Sequence, residues 1–245
     1  MPISVIIPAL NEADHIAAAI AALRRQGDCE IIVADGGSVD GTWDLAEEAD
    51  LRLATEKGRA AQMNAGAARA SGDMLLFLHA DCRLAPGALG SLARCLRKPA
   101  SAAACFSMRV DAPGLAYRAI DWCATMRVRF SGVIYGDQGL GVRRDDFARI
   151  GGFPRVRFME DVLISARLKK LGRMVVLPER VAVSARRWRQ YGVVRQTLRN
   201  WGLTALALAG VHPDRLASWY PATREASRQV TGGAAASGAG AALPR

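Results

Sequence analysis

Three short apolar runs set the rhythm of the first hundred residues: "ISVIIPA", "EIIVADG" and "MLLFLHAD". Each is too short for a buried helix and is bounded by turn-forming or charged residues, so each reads as a β-strand. A fourth strand is expected at "LRLATE". The intervening segments are Ala-rich and carry a helical period. Ile16, Ile20 and Leu23 fall at i, i+4 and i+7 and form one buried stripe. A second helix is expected around Thr42 to Glu48, with Asp40 placed to cap it, and a third across Ala60 to Ala70. Strands alternating with helices predict β-α-β units and a parallel sheet.

Beyond residue 100 the pattern is less regular. It predicts a strand near Ala102 to Val110, a helix near Leu115 to Arg129, a strand at "QGLGVRR", a bend at "IGGFP" and a helix from Glu160 to Leu171. Val162, Ala166 and Lys169, or Leu163 and Leu171, would face inward on that helix. "MVVLP" and "VAVSARR" read as two further strands. Tyr191 to Ala209 gathers Val194, Leu198, Trp201, Ala205 and Leu208 on one stripe, with Arg195 and Arg199 elsewhere on the wheel. That amphipathic helix either packs on the main domain or a second subunit, or lies on a membrane surface. The final "TGGAAASGAGAALPR" is expected to be a disordered tail. The expected organisation is an α/β domain over 1–189, divided into halves at 1–100 and 101–189, then a helical appendage over 190–228 and a tail over 229–245.

Composition narrows the partners. The 245 residues are 51% hydrophobic, which places the chain among folded proteins, and 33 Lys and Arg against 23 Asp and Glu leave a net charge of +10. Something anionic is therefore attracted. No zinc-finger spacing or basic aromatic repeat supports nucleic acid. Five cysteines, odd in number and never in C-x-x-C, indicate neither a disulfide framework nor a zinc site and fit a reducing cytoplasm. Acidic residues follow the first apolar run and no basic region precedes it, which excludes an ordinary signal peptide. Nowhere do about 18 uninterrupted apolar residues occur, so no transmembrane span is expected.

In open α/β sheets ligands sit beyond the carboxyl ends of the strands. Here those ends are "PALNE", "DGGSVDGT", "EKGRAAQMN" and "LHADCR". Taken singly, Glu12 is a first-turn carboxylate favoured by the helix dipole, and Asp35 a turn former. Taken together, Asp35 can accept from a base or ribose while Gly36 and Gly37 allow close backbone approach. Lys57, Gly58 and Arg59 place two cations at a helix start suited to a diphosphate. Asp81 then suits Mg²⁺ or Mn²⁺, which take one or two protein carboxylates beside phosphate oxygens.

In order and spacing, "VIIPALNE", "IIVADGGSVDGT", "GRAAQMNAGAARASGDMLLFLHAD" and "FMEDVLISARLKKLG" resemble the family 2 glycosyltransferases, from about Ile3 to about Arg187. The resemblance implies the GT-A fold, a Rossmann-like, mostly parallel central sheet flanked by helices, and transfer of a sugar from a nucleotide donor. More narrowly, "FLHADCRL", "GDQGL" and "SARRW" are similar to a soluble bacterial branch associated with radical SAM and selenium-related genes. By the same resemblance Pro8, Ala9 and Glu12 line the nucleotide pocket, with Gly37, Lys57, Asn64 and Ala80 beside it. Asp35 holds the base, commonly uracil, and Arg59 contacts the nucleotide or its phosphates. Asp81 is the last aspartate of the family's D-x-D metal motif, whose first position is His79 here. His79 is a metal ligand, a donor contact or a packing residue.

"FMEDV" resembles the family's acceptor-side motif, which makes Asp161 the base and Glu160 its neighbour or substitute; the competing reading is an ordinary acidic first turn. Between Gly141 and Asn200 fifteen basic residues face five acids. Arg143, Arg144, Arg186 and Arg187 close over a diphosphate or bind an anionic acceptor, or only solvate a surface; Arg186 and Trp188 are the expected contacts. The function expected is metal-assisted, inverting transfer from a nucleoside diphosphate sugar, UDP-linked, to an acceptor the sequence does not identify. The alternative is a catalytically silent nucleotide-sugar-binding or membrane-periphery module. A homodimer and a peripheral seat at the inner membrane face are compatible with both.

Overall fold

A computed structural model describes residues 2–219. Its centre is β1 (Ile3–Ala9), buried along its whole length because both faces of the sheet are covered. Successive side chains leave on opposite faces. Val5 and Ile7 enter one core with Ile16, Ile20 and Leu23 of α1 (Ile16–Arg24), whereas Ile6 enters a second core with Met63 and Ala67 of α3 (Arg59–Arg69). β2 (Glu30–Asp35) and β4 (Met74–Phe77) divide their residues the same way. The result is a three-layer α/β/α arrangement.

β3 (Leu51–Ala54), β2, β1 and β4 pair in parallel in that order, so their carboxyl ends share one edge. The sheet continues through β7 (Leu140–Arg143), β6 (Ser101–Val110), β8 (Arg173–Val183) and β5 (Arg83–Leu84), making eight strands among the described residues. β7 runs antiparallel to β4 and β6. The halves 1–100 and 101–189 thus contribute to one sheet. Around it stand α2 (Thr42–Leu45), α4 (Ala88–Leu96), α5 (Leu115–Ser131), α6 (Arg144–Arg149), α7 (Glu160–Leu168), α8 (Arg186–Tyr191), α9 (Val193–Leu208) and α10 (Pro213–Ala217).

Several expectations are corrected. "MVVLP" and "VAVSARR" are not two strands. β8 runs through both, and its register against β6 jumps from Phe106↔Leu177 to Ser107↔Arg180. Pro178 lies in that irregularity, where its missing N–H leaves no ladder bond to lose. Arg186 and Arg187 begin α8 instead of ending a strand. On α7 the inward residues are Val162, Ile164, Ser165 and Leu168, while Ala166 and Lys169 are exposed. Ser165 is buried because its hydroxyl donates to the Asp161 carbonyl and accepts from the Ile134 N–H.

The expected apolar stripe of the C-terminal helix does not pack on the domain: Val194, Leu198, Trp201 and Leu208 are exposed. α9 instead buries Gln196, Leu203, Thr204 and Ala207, and Leu203 and Ala207 join a small third core with Val133, Met159 and Val162. The tail expected over 229–245 lies outside the described residues.

Candidate active site

The loops after β1 and β2 are laced together. Asn11 N–H donates to Ser38 Oγ at 2.9 Å, and Val39 N–H returns to Asn11 Oδ1 at 3.0 Å. Glu12 N–H reaches Thr42 Oγ1, and Ala13 N–H reaches Asp40 Oδ2. Asp40 therefore ties two loops as well as bonding the Thr42 N–H at the head of α2. Beneath them the buried Gln62 amide donates to the carbonyls of Ala9 at 2.6 Å and Ala34 at 2.9 Å. Gly36 leaves room for that amide, since a Cβ would stand 3.1 Å from Gln62 Nε2 and press on it.

Asp35 ends β2 only 4% exposed. Its Oδ1 accepts from the Gly37 and Ser38 N–H groups, both at 2.7 Å, with Gly37 in the left-handed region at φ 90°. Its Oδ2 is buried and makes no hydrogen bond among the described residues. A carboxylate oxygen held this way suits an incoming N–H donor. Pro8 and Ala9 lie buried in register with Ala34 and Asp35.

A cleft opens beside this edge, lined by Asp81 and His79 from the turn after β4, by Arg59, and by Asp161 from the first turn of α7. Tyr135, Gly136, Asp137, Met159, Ser184, Arg186, Arg187 and Trp188 complete much of its wall, and Gln196, Asn200 and Thr204 add the inner side of α9. Gly136 is the joint: its N–H donates to Asp161 Oδ2 at 2.9 Å, and a Cβ there would stand 2.7 Å from His79 Nε2. A larger residue at 136 would have to displace the His79 ring. Met159 enters α7 with a left-handed backbone, φ 62°, uncommon for a residue with a side chain. Such conformations persist where the surroundings enforce them.

Burial is the largest influence on the titrating groups. It holds the His79 imidazole down to about 4; Arg59 and Arg187 add to this, while Asp81 and Asp161 oppose it. The ring is neutral at physiological pH and one nitrogen can accept or ligate. Burial pushes the Asp137 carboxyl above its ordinary range, with Arg127 opposing and Asp161 and Asp81 reinforcing. It likewise raises the Cys82 thiol, which keeps its proton and lies 3.7 Å from Asp81 Oδ1 and 3.6 Å from the Asp137 carbonyl.

The donor set fits a hard divalent cation shared with phosphate. Among the described residues no three His, Cys, Asp or Glu side chains gather into a closed cage. Asp81 and neutral His79 line the cleft and would offer such a cation one oxygen and one nitrogen donor, with further positions left for phosphate oxygens. Asp137 Oδ1, buried without a hydrogen bond among the described residues, belongs to the same cleft.

The structure brings His79, Asp81, Asp161, Arg59, Arg186 and Trp188 to one cleft. Others stand apart. Glu160, 2% exposed, receives Arg59 Nε at 2.8 Å, and burial raises its carboxyl while Arg59 pulls it down. It is engaged as Arg59's counter-ion and does not line the cleft, which separates it from Asp161. Asn64 spends its amide on Phe153, donating to its carbonyl and accepting from its N–H, both at 2.9 Å, away from the cleft. Lys57 is exposed in the turn before α3, and Ala80 is buried. Arg143 pairs with Asp146, and Arg144 bonds the Ala70 carbonyl, so neither reaches the cleft. The sequence reading missed Tyr135, Asp137 and the α9 polar face. "GDQGL" did offer a signal, an acid between glycines ahead of a strand.

The profile of the family described as "Glycosyl transferase family 2" matches residues 4–147. A "PGL/p-HBAD biosynthesis glycosyltransferase" of Mycobacterium bovis is 40% identical over 88 residues, which are 32% of this chain and 34% of that relative. The chain therefore spans about a third of the length of that curated relative. Among solved structures, the mannosyltransferase PcManGT from Pyrobaculum calidifontis, in complex with GDP-Man and Mn²⁺, superposes with a TM-score of 0.64 at 20% identity, over 86% of this chain and 65% of that one. S. aureus TarS 1-349 in complex with UDP-GlcNAc gives a TM-score of 0.58 at 19% identity, over 75% and 58%.

Proposed function

Because the chain belongs to the family 2 glycosyltransferases, we propose that it transfers a sugar from a nucleoside diphosphate sugar, UDP-linked, to an acceptor nucleophile with inversion at the anomeric carbon. The observation that carries the reading is that one cleft is lined by Asp81 from the end of β4 and by Asp161 from the first turn of α7. The first can hold the departing diphosphate's cation and the second can take the acceptor's proton.

Residues 1–189 form the transferase domain in this reading, and 190–228 its appendage. The nucleobase lies against Asp35, whose free Oδ2 accepts from it while Gly37 and Ser38 hold Oδ1. Asp81, with His79, would hold Mg²⁺ or Mn²⁺; when bound, such a cation neutralises charge on the leaving diphosphate. Asp161, oriented by the Gly136 N–H, accepts the proton as the acceptor attacks the anomeric carbon. The sugar–diphosphate bond breaks on the opposite face, so a single displacement inverts configuration. Arg59 and Arg186 add positive charge at the cleft, where leaving-group charge is the larger demand.

The test is a thermal-shift screen of nucleoside diphosphates and their sugars with and without Mn²⁺, followed by a donor-hydrolysis assay. A UDP-dependent rise in Tm that needs metal supports the reading, since a ligand of the native state raises its stability. Binding without turnover of any donor would return the chain to the silent nucleotide-sugar-binding alternative, and no shift with any nucleotide would overturn both of these readings.

A further inference from the structure

Two neighbouring helices leave their large apolar side chains uncovered. On α9 the stripe of Val194, Leu198 and Trp201 faces outward, Leu198 59% exposed, while the opposite face closes the active-site cleft with Gln196, Asn200 and Thr204. On α5, Leu115, Trp122 and Phe130 recur at i, i+7 and i+15 and fall on one face, with Trp122 64% and Phe130 83% exposed. The two helices adjoin across a groove lined by Cys123 and Arg127 from α5 and by Thr197 and Trp201 from α9. Isolated exposed apolar residues need no explanation, but two adjacent helical stripes rich in Trp, Phe and Leu do.

The charge around these stripes selects the occupant. From residue 180 to residue 213 there is no aspartate or glutamate, and of the six arginines Arg180, Arg189 and Arg195 are exposed while Arg186 and Arg187 line the cleft. On α5 Arg129 is exposed beside Phe130, whereas Arg118 pairs with the helix's single acid, Asp121, at 2.9 Å and Arg127 turns inward over the Tyr135 ring. A second copy of the chain would bring arginine against arginine across a twofold interface. The rest of the chain offers poor cover, because Tyr220, Val230 and Leu243 are the large apolar residues among the last 26 positions, 220–245. An anionic lipid surface satisfies both features at once: acyl boundary for the aromatic and aliphatic side chains, phosphate headgroups for the guanidinium groups. Among the described residues no helix is long and apolar enough to cross a membrane, so the contact lies in the interface plane.

We propose that the outer faces of α5 and α9 together dock the protein on an anionic bilayer. The inner face of α9 then borders the cleft while its outer face rests on lipid. This goes beyond the transferase reading and does not depend on it.

The experiment is cosedimentation of the full chain with phosphatidylcholine vesicles prepared with and without phosphatidylglycerol, across a salt series. Binding is expected only with the anionic lipid and should fall as salt rises. Leu198→Glu and Trp122→Glu should each weaken partitioning by roughly tenfold or more. Far-UV circular dichroism and the UDP thermal shift should stay as in the parent, with Val194→Ser as a milder variant should either glutamate disturb folding. Absence of vesicle binding, equal binding by parent and variants, or a dimer in light scattering that Leu198→Glu makes monomeric would overturn the proposal. The UDP shift, read on the same samples, tests the transferase reading separately.

Discussion

Two regions of the molecule, the strand ends around β1 and β2 and the helical side formed by Asp137 and the first turn of α7, hold carboxylates in opposite ways. At the strand ends the acids are tied by backbone amides from neighbouring loops: Asp35 by Gly37 and Ser38, Asp40 by Ala13 and Thr42. Burial acts to raise the Asp40 carboxyl, but these N–H groups and the Thr42 hydroxyl outweigh it and hold it below the usual range. On the helical side the acids are buried with less compensation, and both Asp137 and Glu160 are pushed upward. A region that fixes ionised groups suits binding. Of the two raised acids, Asp137 lines the cleft and Glu160 is spent on Arg59.

The contrast can be broken from either side. Asp81→Ala should have the largest effect, abolishing turnover and removing the metal-dependent part of the UDP thermal shift while circular dichroism stays unchanged. Substantial donor hydrolysis by that variant in chelator would sink the metal role. Asp161→Asn should cut kcat by about 10²–10⁴-fold with UDP binding untouched, as expected for loss of a general base. Asp35→Ala should act the other way round, weakening donor binding by about 10–100-fold, the worth of one charge-assisted hydrogen bond, with a smaller change in kcat. If Asp35→Ala instead left donor KM unaltered, the base would not lie at β2.

Smaller effects test the frame beneath these regions. Gln62→Leu leaves the Ala9 and Ala34 carbonyls without the amide that now joins them, which should cost about 2 kcal/mol and lower Tm by roughly 4–8 °C. The His79 ring titrates near 4 when folded and near its ordinary 6.5 when unfolded. Between those values the unfolded chain binds more protons, so stability should fall as pH drops from about 6.5 to about 4 and show no further loss from this group below that. Tm measured across that window should be flatter in His79→Gln; an equal slope would place the titration elsewhere.

Up to β4 the elements were legible because each carries its own period and the parallel strands need no distant partner to identify them, whereas β5 and α4 were not anticipated. Asp35, Asp81 and their strand ends followed from the same logic. β8 was misread as two strands because Pro178 looks like a terminator in sequence and becomes a tolerated irregularity only against β6. Glu160 and Asp161 look equivalent until Arg59, a hundred residues away, takes one of them. Asp137 had no visible role because its place in the cleft depends on Gly136 threading between His79 and Asp161.

The sequence by itself determined the strand-helix rhythm, the carboxyl edge on which the acids gather and the amphipathic character of α9, since all three are local consequences of side-chain period. Only the tertiary structure decided which face of α9 turns inward. Large apolar side chains are buried only where another surface is shaped to receive them. Here Leu203 and Ala207 fit against Val133, Met159 and Val162, and Thr204 bonds the Tyr135 hydroxyl, so Trp201 and Leu198 were left outside.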